Sequence, residues 1–169
     1  MAPPPGLPAL RKGPPAGVIF PCANATEAAF LSASVFGMGK AQWPLVAHIR
    51  TGTPLFLFNW QSRVMHGVFS ATSAGGLDLQ PDLLAGIHAP TAKPCPAQVC
   101  VQRSRRCRPL QESQLRGVLA ASYYDDNRFY WEIERSQVTA LIALFVDSSR
   151  PNLEEGQLSL EQHPKPFQA

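Results

Sequence analysis

The segment Leu55-Phe56-Leu57-Phe58 sets the strongest condition on how this chain can fold. In a strand consecutive side chains point to opposite faces, so four apolar residues in a row need cover on both sides. The segment is therefore expected at the centre of a sheet. Asn59 to Ser62 supply polar turn residues, and Val64 to Thr72 return as a second strand, which makes a β-hairpin. On that return strand Met65, Phe69 and Ala71 are expected on one face, and Val64, His66 and Val68 on the other. Gly67 has no side chain to pack, which points to a bulge or to a group passing close to the backbone.

A chain of 169 residues has room for one domain with a good core. Residues 1–16 hold six of the 17 prolines and are expected to form an extended, solvated lead. The ordered domain is expected over 17–147, with a flexible tail over 148–169, where periodicity is lost. No apolar run approaches the ~20 residues of a membrane helix, so no membrane insertion is expected. The opening MAPPPGLPAL lacks the apolar core of a secretory signal, which implies an intracellular protein, cytoplasmic or nuclear.

Within the domain, Val18 to Cys22 reads as a first strand, and Asn24 with Glu27 resembles a capping box that opens a helix through Ser32. Val35-Phe36-Gly37 reads as an anchor and a turn, and Trp43 to Ile49 as a short helix with Pro44 in its first turn. Gly75-Gly76 is expected to end the hairpin's second strand. Four prolines between Leu77 and Pro96 predict a loop. Ala97 to Arg103 reads as a strand with Val99 and Val101 inward and Gln98, Cys100 and Gln102 outward. Glu112 to Ala121 is expected to be helical and Phe129 to Ile133 extended. Ser136 is placed as the cap of an amphipathic helix carrying Val138, Leu141, Ile142 and Phe145. Consecutive hairpin strands without repeated βαβ units imply an α+β fold: a compact, barrel-like, mostly antiparallel sheet flanked by short helices.

The chain carries no GxSxG, SxxK or phosphate-loop motif, and Gly75-Gly76 lacks the Lys-Ser/Thr pair that a phosphate loop needs. His48, His66 and His88 are dispersed, and His66 is read as a satisfied, partly buried side chain. Cys22, Cys95, Cys100 and Cys107 contain no CxxC pair, so reduced thiols are expected, with no metal and no cofactor. Asp125-Asp126 reads as a solvated turn. A non-catalytic protein is the expectation.

Charge gives binding more support. Lys93, Arg103, Arg105, Arg106, Arg108 and Arg116 face Glu112 alone between residues 93 and 116, whereas eight acids outnumber three arginines between Asp125 and Glu161. The RSRRCR run places Arg103, Arg105, Arg106 and Arg108 within six positions, a pattern suited to bidentate contacts with phosphate oxygens. Trp60 falls at the hairpin turn, where a large ring has least reason to be buried and could stack on a base.

Several short motifs recur in a fixed order that resembles the Development and Cell Death (DCD) domain of plant and algal proteins. The family's opening strand is matched by Gly17-Val18-Ile19-Phe20, its FGLP motif by Phe36-Gly37-Met38-Gly39 and its LFL motif by Leu55-Phe56-Leu57. PAQV stands at Pro96-Ala97-Gln98-Val99, and PLxE at Pro109-Leu110-Gln111-Glu112. Met38-Gly39 departs from the family's Leu-Pro, and Cys100 takes a position that is often basic. The resemblance covers Gly17 to Val146 and implies a non-catalytic binding module in stress response, development or programmed cell death. Its implied partner is either another protein or RNA. More distantly, the order of strand, helix and hairpin is similar to PUA-like domains, including YTH and EVE modules, which bind RNA or modified bases. That similarity implies a pocket at the end of the first strand and the start of the hairpin turn, which nominates Cys22, Asn24, Phe58 and Trp60, with Arg103, Arg105, Arg106 and Arg108 steering phosphates.

Overall fold

Leu55, Phe56 and Leu57 are fully buried and Phe58 is 1% exposed, as a doubly covered central strand requires. The computed structural model describes residues 14–150, so most of the proline-rich lead and of the expected tail lies outside the described residues. Along the chain run β1 (Gly17–Cys22), α1 (Glu27–Ala33), β2 (Val35–Met38), α2 (Trp43–Val46), β3 (Pro54–Asn59) and β4 (Val64–Ala71). They are followed by β5 (Gly76–Leu77), β6 (Ala97–Arg103), β7 (Leu110–Gln111), α3 (Glu112–Leu119), β8 (Glu132–Ile133) and α4 (Arg135–Ser148).

The strands join in the order β2-β6-β4-β3-β1-β8, with β5 beside β6 and β7 beside β4. β1 touches β2 although three strands separate them in that order, so the sheet curls into a half-barrel. All pairings are antiparallel except β1 with β3, where Val18 lies opposite Leu55 and Cys22 opposite Asn59. A parallel pair needs a long crossover, and α1, β2 and α2 provide it. The fold is thus α+β, with the expected mostly antiparallel, barrel-like sheet and four short helices.

β3 separates two apolar clusters. Leu55 and Leu57 pack with Phe20, Phe36, Phe69 and Val99, while Phe56 and Phe58 pack with Met65, Phe129, Leu141 and Phe145. Fully burying such side chains contributes about 1.5–3 kcal/mol each. The β3–β4 register shifts between Leu55 and Leu57, opposite Gly67. This irregularity corrects the expected alternation on β4: Met65 and Val68 share one cluster, and Phe69 and Ala71 the other. Gly67 is required because a Cβ there would stand 2.9 Å from the rings of Phe145 and Phe56.

Other local expectations are corrected for identifiable reasons. Asn24 caps no helix; α1 starts after Thr26, whose hydroxyl accepts the Ala23 N–H at 3.0 Å, and Asn24 is drawn to the hairpin instead. Phe36-Gly37 lies in β2, not in a turn, and Gly37 leaves room for the Cys95 carbonyl, which a Cβ would approach to 2.7 Å. Gly76 belongs to β5. Gln98 is buried, because its amide bonds the backbone of Gln80 and Cys95 and so ties the proline-rich loop to β6. Of the stretch Phe129 to Ile133 only Glu132 and Ile133 are strand. Glu134, paired with Gln137 in a capping box, replaces Ser136 as the cap of α4.

The first and last elements meet. A Cβ on Gly17 would lie 2.4 Å from Val138 on α4, and Gly17 pairs with Ile133 on β8.

Candidate nucleic-acid interface

The arginine segment leaves the end of β6 and turns across the sheet. The backbone N–H groups of Ser104 and Arg105 both donate to the Val68 carbonyl, at 2.9 and 3.3 Å. This fastening places Arg105 at an open cleft of about 320 Å3. Pro54, Val68 and Ile142 give it apolar walls, and Ser70, Ser104 and Arg105 bring polar groups. Arg103 lays its guanidinium over the Phe69 ring, 4.9 Å from the centroid, a cation–π contact that fixes one end of the segment.

Arg103, Arg105, Arg106 and Arg108 are all exposed, and none has an acidic partner among the described residues. Arg63, Arg116, Arg128 and Arg150 by contrast each face a carboxylate. No acidic residue occurs between Asp82 and Glu112. The segment is therefore an uncompensated strip of positive potential beside a concavity, an arrangement that attracts a polyanion and gives an attached group a place to lodge.

The four residues nominated at the first strand and hairpin turn are neighbours, but only two present side chains outward. The Trp60 N–H donates to the Cys22 carbonyl at 3.0 Å, which brings the strand end and the turn together. Cys22 is 3% exposed, and burial, followed by the Glu27 charge, pushes its thiol well above the ordinary range. Phe58 is also interior, edge-to-face with Phe129 at 5.0 Å, with Arg63 over its ring at 4.9 Å. These two side chains are corrected from candidate pocket walls to core. Asn24 is exposed, and Trp60 is 39% exposed. Neither lines the cleft at Arg105.

Beneath Trp60 lies a satisfied polar network. The buried Asn59 side chain donates to Asn24 and to Glu27, and its oxygen accepts the N–H groups of Gln61 and Ser62 at 2.9 and 3.0 Å. His66 Nε2 lies 2.8 Å from the other Glu27 oxygen. On the opposite side of the hairpin Arg63 Nε donates to Glu112 at 3.1 Å, and the Tyr123 hydroxyl donates to the same carboxylate at 2.9 Å. Burial alone would raise the Glu112 carboxyl, but the hydrogen bonds from Arg63 and Tyr123, with the charges of Arg63 and Arg116, hold it below its ordinary value. Burial first, then the bond to Glu112, pushes Tyr123 up to about 12. A network this fully paired orders the turn.

The motif positions prove architectural. Phe36 sits against Phe20 and Phe69, with centroids 5.8 and 5.0 Å away, and Leu55, Phe56 and Leu57 form the middle of the sheet. Ala97, Gln98 and Val99 lie in β6 after the half-buried Pro96, Leu110 is buried in β7 behind the exposed Pro109, and Glu112 anchors Arg63. Ser70 and Ser104 carry no signal in the sequence, and Ile142 reads there only as part of the apolar face of its helix. They are far apart along the chain and of ordinary types, and only the folding of β4 and α4 onto the segment joins them.

Among the described residues no helix is long and apolar enough to cross a membrane. The family profile of the Development and cell death domain matches residues 16–145. The DCD domain-containing protein NRP-B of Glycine max is 33% identical over 136 residues, 80% of this chain and 41% of that protein. The B2 protein of Daucus carota is 33% identical over 132 residues, 78% of this chain and 63% of that protein. The chain thus spans less than two thirds of the length of either relative. In fold it resembles the Mmi1 YTH domain solved in complex with RNA, with a TM-score of 0.57 at 14% identity over 78% of this chain and 77% of that one. With a matched profile over most of its length and the opening strand, LFL, PAQV and PLxE positions each built into the framework, the chain belongs to the Development and cell death domain family.

Proposed function

We propose that this chain is a non-catalytic binding module whose ligand is single-stranded RNA, held along Arg103 to Arg108 with the adjacent cleft taking part. The observation that carries the reading is the set of four exposed arginines without acidic partners among the described residues, beside a cleft that Arg105 lines. Phosphate contacts of this kind supply affinity with little sequence information. The RNA complex of the similarly folded Mmi1 YTH domain supports the choice of polyanion. The family's name supports a role in development and cell death, and the proposed reading adds a part in the stress response.

The test is a fluorescence-anisotropy titration of a labelled single-stranded RNA across a salt series. Each neutralised phosphate contributes about −0.7 to the slope of log affinity against log salt, so four arginines give a slope near −3. Arg105→Glu combined with Arg106→Glu abolishes the binding. Absence of salt-dependent binding by the unaltered chain overturns the reading. For the cellular role, the same double variant replaces the unaltered protein in its source cells; an unchanged response to stress speaks against it.

A further inference from the structure

Ser104 is the one serine in the chain that stands between two arginines, Arg103 and Arg105, with Arg106 next in line. It is exposed, directly after β6, at the head of a stretch, 104–109, that is neither helix nor strand. Its hydroxyl is bonded to no described residue. By contrast, the hydroxyls of Ser73 and Ser149 accept the N–H groups of Cys100 and Arg108, at 3.0 and 2.9 Å. Ser104 thus presents an unengaged oxygen in the lining of the cleft that it shares with Ser70 and Arg105.

Charge and backbone both suit this hydroxyl to receive a phosphoryl group. A phosphoserine carries about −1.5 to −2 charges at pH 7 and three strong acceptor oxygens. Arg105 and Arg106 have no acidic partner among the described residues, so they can take up that dianion without giving up an existing ion pair. The backbone N–H groups of Ser104 and Arg105 hang on one carbonyl, that of Val68, and the Arg108 N–H hangs on Ser149. A local opening therefore frees the stretch for an extended fit in an enzyme's cleft while β6 stays paired with β4 through Phe69 and Arg103.

We propose that Ser104 is a phosphorylation site for a serine kinase that reads the flanking arginines. Attack of Oγ on the γ-phosphorus of ATP forms the new O–P bond as the bond to the β,γ-bridging oxygen breaks. ADP leaves, and the hydroxyl proton passes to the kinase's base and then to solvent. The attached phosphate folds back on Arg105 and Arg106 and cancels about half of the positive charge of the strip. The modification thus weakens the hold of the same arginines on a polyanion. That consequence rests on the RNA reading; the modification itself does not.

The test treats the full chain with MgATP and the catalytic domain of protein kinase C, a kinase directed by basic residues. Fragment-ion mass spectrometry is expected to place a phosphate on Ser104 and to find none in that peptide of Ser104→Ala. The phosphorus resonance of the modified chain is expected to titrate below the second ionisation of free phosphoserine, about pH 6, and Arg105→Gln/Arg106→Gln returns it there. Oligouridylate is expected to bind the modified chain about tenfold more weakly, with the salt slope falling from about −3 to about −1.4 as two of four arginines are cancelled. If oligouridylate binds neither form, the RNA reading falls while the incorporated phosphate and its lowered ionisation still support the site. A Ser104 left unmodified, or a phosphate that titrates as free phosphoserine does, overturns the proposal whatever the RNA result.

Discussion

Phe56 and Phe145 stack across the second core with ring centroids 5.8 Å apart and an interplanar angle of 18°. The contact joins the central strand to the closing helix, and Gly67 is the residue that leaves space for it. An added methyl would sit 2.9 Å from both rings, and neither ring is the free end of a flexible chain. Gly67→Ala is therefore expected to lower stability by about 1–3 kcal/mol through overpacking, read as a reduced urea midpoint. An unchanged midpoint would mean that the stack has room to yield.

Asn59 holds the hairpin turn from below. Asn59→Asp keeps the shape but sets a second carboxylate against Glu27 and removes the donor that Asn24 and Glu27 receive. A loss of about 2–3 kcal/mol is expected at neutral pH. Adding Glu27→Gln restores much of it, and a double-mutant cycle measures the coupling. Additive effects would place the Asn59 contribution elsewhere.

Glu112 makes stability depend on acid. Its native value lies below the ordinary 4.5, so the unfolded chain takes up the proton first as pH falls. The stabilisation is complete above the ordinary value and is lost as pH drops through the native one. Glu112→Gln is expected to cost about 2 kcal/mol at pH 7 and to flatten the decline below about pH 4.5. Parallel unfolding curves for both chains across that range would contradict the assignment.

Ser70→Trp fills the cleft while every arginine stays in place. RNA affinity is expected to fall about tenfold with the salt slope unchanged, because the space the cleft offers to an attached group is lost and no phosphate contact is. Unchanged affinity would show that the cleft takes no part, and a changed slope that the substitution disturbs the arginines.

The centre of the fold was legible because alternation, turn chemistry and aromatic content agree over Leu55 to Ala71. The capping error at Asn24 arose because a residue 35 positions away competes for its side chain, which no local spacing reveals. Gln98 misled for a similar reason: polar residues normally face outward, but its amide satisfies a loop whose path is set only in three dimensions. The arginines could be read directly, since charge and exposure go together. Cys22 could not, because a strand's end does not disclose whether its side chains point towards solvent or interior; the burial of Phe58 follows from its doubly covered strand, against the pocket that the resemblance implies.

The meeting of Gly17 with Ile133 and Val138 has a consequence for how such a unit travels between proteins. Its framework closes on itself at the point of entry, so a host polypeptide can lead into β1 and resume after α4 without rethreading any strand. A fragment that stops before Ile133 strips β1 of its outer neighbour and opens the Phe56 side of the sheet to water. Genetic exchange is therefore constrained to move the unit whole, and a transplant cut inside that closure is expected to aggregate.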